Sequence, residues 1–411
     1  MSARKKVLIV GSGAAEVYRR YSLEAIAKVY DVVLLDDVEP TWQQPFIVGA
    51  IIAPLNLKLA YDPLDDALRA HPVDGVLSWD ERRLELVAEI AARYGLRTVG
   101  LESVRACRDK WRTREILAAA GVPSAHSRLT QTTEAAASAA AEIGFPVVVK
   151  PRGLAGSIGV QRVDDVEELA EAWVLANGAT MPSVTPRDGV LVEEFLTGDE
   201  YSVECVTIEG ATTVVAVTRK RVGLPPYFEE IGHIVNAADR NEALFGEIAD
   251  VAARALDAVG FTDGVTHVEV KVGPAGPRII EINARLGGDL IPHLVALATG
   301  YDLSVAAASI AVGDPPTSTE AAPRAAGIHF FYPPFAGVFT NHELGAWASE
   351  PWVDRCVWVK PHGTPMGLPP EAFMGRLGFV VVMGDDAAEV RARLRVVESE
   401  TVISMSQRAT A

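Results

Sequence analysis

The sequence predicts a mixed fold of the α/β and α+β classes: a parallel α/β domain first, a central region of antiparallel strands next, and a small α+β unit last. Three observations carry that expectation. Residues 7–10, 32–35 and 75–79 are apolar runs of strand length separated by helical stretches, the alternation that builds a parallel sheet. Residues 267–272 and 278–283 alternate apolar and polar side chains on either side of a turn rich in glycine and proline, the mark of a hairpin. Residues 327–332, 356–359 and 379–383 read as further strands, and the charged stretch 387–398 reads as a helix.

The first strand ends in Gly11-Ser12-Gly13, and the second ends at Asp36 and Asp37. That spacing resembles a dinucleotide-binding fingerprint and marks the domain as Rossmann-like, but Glu16 stands where the third glycine belongs. A strand over 75–79 leads through Asp80 and Glu81 into a helix over 83–94, and 97–99 reads as another short strand. Glu81 at a strand's carboxyl end could meet a substrate ammonium; a carboxylate at a helix N-terminus is the plainer explanation. A helix over 103–120 contains Lys110 and stops at Gly121 and Pro123. Helix 134–143 and strand 146–150 follow, and Lys150 closes that apolar strand, where its ammonium needs an anionic partner such as a phosphate. The loop Gly153 to Gly159, with Gly156 and Ser157 inside it, has the flexibility to bring backbone N–H groups against phosphate oxygens. Strands over 190–196, 201–208 and 211–218 and a helix over 244–259 precede the hairpin, and 311–322 reads as a linker.

The hairpin carries the chemistry. If its turn is symmetric about Ala275, Glu269 opposes Glu281, His267 opposes Asn283 and Lys271 opposes Ile279, while Val268, Val270, Val272, Ile280 and Ile282 form the apolar face. Facing carboxylates repel and call for a cation. Hard oxygen donors suit Mg2+, and Arg285 adds a fork for phosphate or carboxylate. The bland alternative is a solvated face neutralised by Lys271.

Composition excludes other classes. With 411 residues, 49% hydrophobic and 22% charged, the chain is an ordinary globular protein with room for roughly two to four domains. A net charge of −16 argues against a nucleic-acid partner. Cys107, Cys205 and Cys356 form no CxxC pair, which fits a reducing cytoplasm, and the apolar run at 7–10 is too short for a signal or membrane segment.

Together the motifs DKWRTREILAAAGVP (109–123), FPVVVKP (145–151), EEFLTGDEYSVE (193–204), EIGH (230–233), VEVK (268–271) and EINARLGG (281–288) resemble an ATP-grasp carboxylate–amine ligase, closest to the dipeptide-forming L-amino acid ligases. The resemblance implies a two-lobed ATP-grasp module between the two flanking units. The expected segments are 1–103 (Rossmann-like), 104–122 (connecting helix), 123–200 (small lobe), 201–316 (large lobe) and 317–411 (C-terminal α+β). It implies that Lys110 and Lys150 contact ATP phosphates under the Gly153 to Gly159 loop. Glu193, Glu194, Phe195 and Leu196 would present backbone to adenine, and Glu200 would hold the ribose. Glu269, Glu281 and Asn283 would bind Mg2+, for which Mn2+ can substitute. Arg285 would face the reacting carboxylate, and His233 with Glu230, Glu81, Gly287 and Gly288 would lie near the substrates, Arg285 and His233 being the catalytic candidates. The partners implied are small molecules, an amino acid or similar carboxylate and an amine, with a homodimer allowed and no nucleic acid or membrane. Two alternatives stay open: a biotin-carboxylase-like or purine-pathway ATP-grasp enzyme, and an ATP-binding protein without catalysis.

Overall fold

Among the described residues there are four sheets, three of which position the site residues. The computed structural model describes residues 4–13, 15–55, 61–318 and 324–407. Strands Gly49–Ile52, Asp31–Asp36, Lys6–Val10 and Gly75–Leu77 form a parallel sheet in that spatial order. Strands Asp31–Asp36, Lys6–Val10 and Gly75–Leu77 are largely apolar and buried, while the edge strand Gly49–Ile52 is partly exposed. Ser12 donates to Asp36 from its backbone N–H (3.0 Å) and its hydroxyl (2.9 Å), so this acid fastens the glycine turn. Residues 97–99 are not a strand: the sheet ends at Gly75–Leu77, where a Cβ on Gly75 would lie 2.4 Å from the Ala311 carbonyl. Strand Gly49–Ile52 and helix Tyr61–Ala70 are elements that the sequence pattern did not reveal.

The helix expected over 103–120 is two helices, Leu101–Arg108 and Lys110–Ala119, broken at Asp109. Asp109 has extended backbone, accepts from the Arg112 N–H at 3.3 Å, and takes both ends of the Arg152 guanidinium at 2.7 and 2.8 Å. A capping carboxylate starts the second helix afresh and sets Lys110 at its first position, buried.

A four-stranded antiparallel sheet, in the order Ser127–Thr130, Val190–Glu194, Val147–Pro151, Gln161–Val163, packs against helices Thr133–Ile143 and Val166–Gly178. The largest sheet is antiparallel and eight-stranded: Gly276–Asn283, Gly264–Gly273, Asp199–Ile208, Ala211–Gly223, Glu229–Asn236, Ala325–Phe331, Gly378–Gly384, Val353–Trp358. Three C-terminal strands therefore continue the central sheet. Strands Pro365–Met366, Gly337–Glu343 and Val402–Ser406 form a smaller sheet of their own. Helix Leu303–Ala311 ends at the first residue of the expected linker, whose residues 319–322 lie outside the described residues.

Ile9, Ile26 and Leu34 of the first domain share one core with Leu294, Ile310 and Phe330. Each such buried side chain contributes about 1.5–3 kcal/mol, which holds the N-terminal domain against the central sheet. No single helix among the described residues is long and apolar enough to cross a membrane.

Candidate active site

A cavity of about 670 Å³ opens between the sheets. The four-stranded sheet and loop 154–158 wall one end, the hairpin and the Glu200 and Lys220 side chains make its floor, and Tyr18, Arg19 and residues 79–82 of the N-terminal domain close the other end. It lies beyond the carboxyl ends of the parallel strands, where open α/β sheets bind ligands.

The hairpin register holds at its site end, with His267 opposite Asn283 and Glu269 opposite Glu281. Beyond Glu269 a bulge intervenes, so Val270 opposes Ile279 and Lys271 opposes Arg278; the expected Lys271–Ile279 pair is corrected. The extra residue turns Ile279 into the core and Ile280 towards the cavity, reversing the expected apolar face there. The carboxylates are neutralised separately and not by Lys271. Lys220 Nζ lies 3.1 Å from Glu269 and Lys110 Nζ lies 2.8 Å from Glu281. Lys220 also reaches Glu200 at 2.9 Å and Glu230 at 2.5 Å, and these carboxylates raise its ammonium well above the usual lysine value although burial alone would lower it. Lys271 pairs with Glu200 at 3.4 Å.

The donor set fits a hard cation. Glu269 and Glu281 face each other and both line the cavity, and two ammonium groups already stand against them. Asn283 is buried and does not line the cavity; its Oδ1 lies 3.5 Å from Arg285 Nη2. Behind Glu269, His267 spans Glu204 (2.9 Å) and Glu269 (3.4 Å).

At the end walled by the four-stranded sheet, Lys150 Nζ lies 2.5 Å from Glu193, and Arg114 donates to the same carboxylate at 2.9 and 3.1 Å. Burial alone would raise the Glu193 carboxyl, but Arg114 and Lys150 hold it at about 2. Its side chain is thus an internal ion-pair centre, and Lys150 has a protein partner where a phosphate was expected. Glu194 is held by Arg278 at 2.7 Å, and Phe195 and Leu196 line the cavity. Lys110 also donates to the Leu154 carbonyl at 2.6 Å, tying the glycine loop to the floor. Within that loop Gly156 and Ser157 line the cavity, both with positive φ. Gly153 and Gly159 do not; they make room for Arg187 and Ala179.

Two ATP-grasp domain families match the chain, one over residues 143–293 and one over residues 100–153. Residues 100–293 thus match ATP-grasp domains. An uncharacterized Sinorhizobium fredii protein, y4rH, is 32% identical over 305 residues, 74% of this chain and 62% of that one. Alanine–anticapsin ligase of Bacillus subtilis is 29% identical over 240 residues, 54% of this chain and 50% of the ligase. The chain thus spans less than two thirds of these curated relatives. The crystal structure of an L-amino acid ligase from Bacillus licheniformis superimposes with a TM-score of 0.80 at 24% identity, covering 99% of this chain and 100% of that one, and establishes the common fold. Carbamoyl phosphate synthase large chains and biotin carboxylases are similar as well.

At the far end of the cavity, Arg285 Nε donates to Glu81 at 2.5 Å, and Arg108 donates to the other oxygen at 3.0 Å. Burial would raise the Glu81 carboxyl; the two guanidinium groups hold it below the usual range. With both oxygens engaged, Glu81 is corrected from an ammonium receptor to the residue that holds Arg285. His233 is also corrected. It is fully buried, does not line the cavity, and reaches it only through Glu230 (3.4 Å) and Asp289 (3.2 Å), which makes it a positioning residue. Glu230 and Gly288 line the cavity, while Gly287 sits against His267 and Glu204.

Sequence reasoning missed Lys220, Arg114, Asp289, Arg376 and Arg19. Asp289, with φ of +55°, accepts both ends of the Arg376 guanidinium at 2.5 and 2.7 Å. Lys220 had one usable signal: it is a lysine inside a long strand, on the same side as Thr218. The other pairings join residues far apart in sequence.

Proposed function

We propose that this protein is an ADP-forming ligase that activates an amino-acid carboxylate as an acyl phosphate and couples it to an amine, a second amino acid or a peptide. The observation that carries this is Arg285, held by Glu81 at the cavity end beside the opposed Glu269 and Glu281. A carboxylate oxygen attacks the γ-phosphorus and ADP leaves. The amine then attacks the carbonyl carbon, loses a proton, and phosphate departs with one former carboxylate oxygen. Positioning and charge neutralisation are the catalytic demands of such transfers. Lys110, Lys150 and loop 154–158 receive the phosphates, residues 193–196 the adenine, and Glu200 the ribose. Mg2+, held by Glu269 and Glu281 with Asn283 beside them, would neutralise phosphate charge. Arg285 meets the charge that develops on the reacting carboxylate. The similarity to alanine–anticapsin ligase favours amino acids as substrates.

Similarity to carbamoyl phosphate synthase and biotin carboxylase supports a second reading, activation of bicarbonate. An ADP-release screen over amino acids singly and in pairs, with hydroxylamine as trap, separates the two. Amino-acid hydroxamates are expected; ADP release that requires bicarbonate and yields no hydroxamate would favour the second reading.

A further inference from the structure

The cavity's cations are matched to carboxylates with one exception. Lys110, Lys150, Lys220, Lys271, Arg82, Arg114, Arg285 and Arg376 each have a carboxylate oxygen within 4 Å. Arg19, on helix Glu16–Val29, lines the same cavity and has none among the described residues. One of its five N–H donors makes a long bond, 3.4 Å to the carbonyl oxygen of Gly287. The nearby acids are engaged elsewhere: Asp289 by Arg376 and His233, and Asp80 by Arg82. Burial depresses the Arg19 guanidinium from its ordinary value, with the Arg285 charge acting in the same direction and Tyr21, Asp289 and Asp80 acting against it. A partly buried guanidinium beside another is a place that an anion stabilises.

Gly287 follows Arg285 by two residues, so Arg19 reaches the loop that carries the arginine assigned to the reacting carboxylate. Two amino acids bring two carboxylates to the site. One is consumed by activation, and the other reaches the product intact and needs its own cation. We infer that Arg19 binds the free α-carboxylate of the acceptor, so that the acceptor is an α-amino acid or a peptide with a free C-terminus, not a simple amine. The inference rests on the ligase reading above.

The test compares acceptors in the full-length protein with ATP, Mg2+ and a donor found active by hydroxamate trapping. Each acceptor amino acid is set against its own carboxamide, L-alanine against L-alaninamide first. A charge-assisted contact predicts that wild type favours the carboxylate form by about tenfold to a hundredfold in kcat/KM. Arg19→Gln should bring that ratio to within about threefold of unity, chiefly through acceptor KM, and Arg19→Lys should restore part of it. A wild-type ratio near one overturns the inference, and so does an Arg19→Gln protein that keeps the wild-type ratio. If Arg19→Gln does not fold, the wild-type ratio and Arg19→Lys decide. Absence of any amino-acid hydroxamate from wild type would instead bring down the ligase reading itself, a result that the acceptor ratio cannot mimic.

Discussion

The two ends of the cavity use charge differently. Around Glu193 the ion pairs are buried and interlocked: Arg114 and Lys150 serve one carboxylate, and Ser127 donates to it at 3.0 Å. At the other end the contacts run between distant parts of the fold, Glu81 to Arg285, Arg19 to the Gly287 carbonyl and Arg376 to Asp289. The first arrangement fixes a wall. The second brings the N-terminal domain, the hairpin exit and a C-terminal loop to one point, and it leaves one guanidinium unmatched. Substitution of Glu193 should therefore appear first in stability, and substitution of Arg285 in turnover.

The largest effect is expected at Glu193. Glu193→Gln leaves Arg114 and Lys150 buried against a neutral amide, and breaking a buried pair costs about 3–5 kcal/mol. The pH sign follows from the carboxyl, lowered from 4.5 to about 2 in the fold. Its contribution is fully present above the unfolded value and is lost as pH falls through that window. Denaturant melts of both proteins from pH 7 to pH 2 should converge at the acid end; a gap that is constant with pH would mean the carboxylate charge is not what matters.

Arg285→Ala comes next, and it should act on rate. A fixed donor aimed at developing charge is worth about a hundredfold to a thousandfold. With both substrates present, ADP release should fall by at least about a hundredfold while ATP affinity stays near wild type. Turnover within about threefold of wild type, or a loss expressed wholly as weaker ATP binding, would reduce Arg285 to the salt-bridge partner of Glu81.

Glu281→Gln removes one of the two carboxylates proposed to hold Mg2+ and also the partner of Lys110. The opposed carboxylates alone suggest relief of repulsion, but the 2.8 Å contact to buried Lys110 argues that the metal-free protein melts lower. Calorimetry with and without Mg2+ measures both effects; an unchanged response to Mg2+ would remove Glu281 from the metal set.

The smallest effect belongs to His233. Burial would lower its imidazole, yet Asp289 and Glu230 raise it above 6.5, so the stability it adds is full below the unfolded value and fades as pH rises through the folded one. The Tm gap between wild type and His233→Gln should be wider at pH 6 than at pH 9. A gap that widens with pH would mean the imidazole is held neutral.

This contrast also governs what was legible in the sequence. The Glu269–Glu281 pairing was readable because the two residues lie on adjacent strands of one hairpin, and Lys150 because it closes an apolar run. The bulge after Glu269 was not readable, since the alternation of side chains gives no sign of an inserted residue, and it moved Ile280 from the core to the cavity. Asp109 broke a helix that looks continuous by periodicity, through a capping bond and the Arg152 pair, 43 residues apart in sequence. Glu81 and Arg285 are 204 residues apart, and Arg19 and Gly287 are 268 apart, so no local pattern could join them.

The proposed reaction passes a carboxylate oxygen to phosphate. Wild-type protein turning over a donor amino acid labelled with 18O in its carboxylate, together with ATP, Mg2+ and an acceptor, should release inorganic phosphate carrying one 18O atom for each amide formed. Amide formation with unlabelled phosphate, or ADP release that needs bicarbonate and leaves the label in the amino acid, would contradict it.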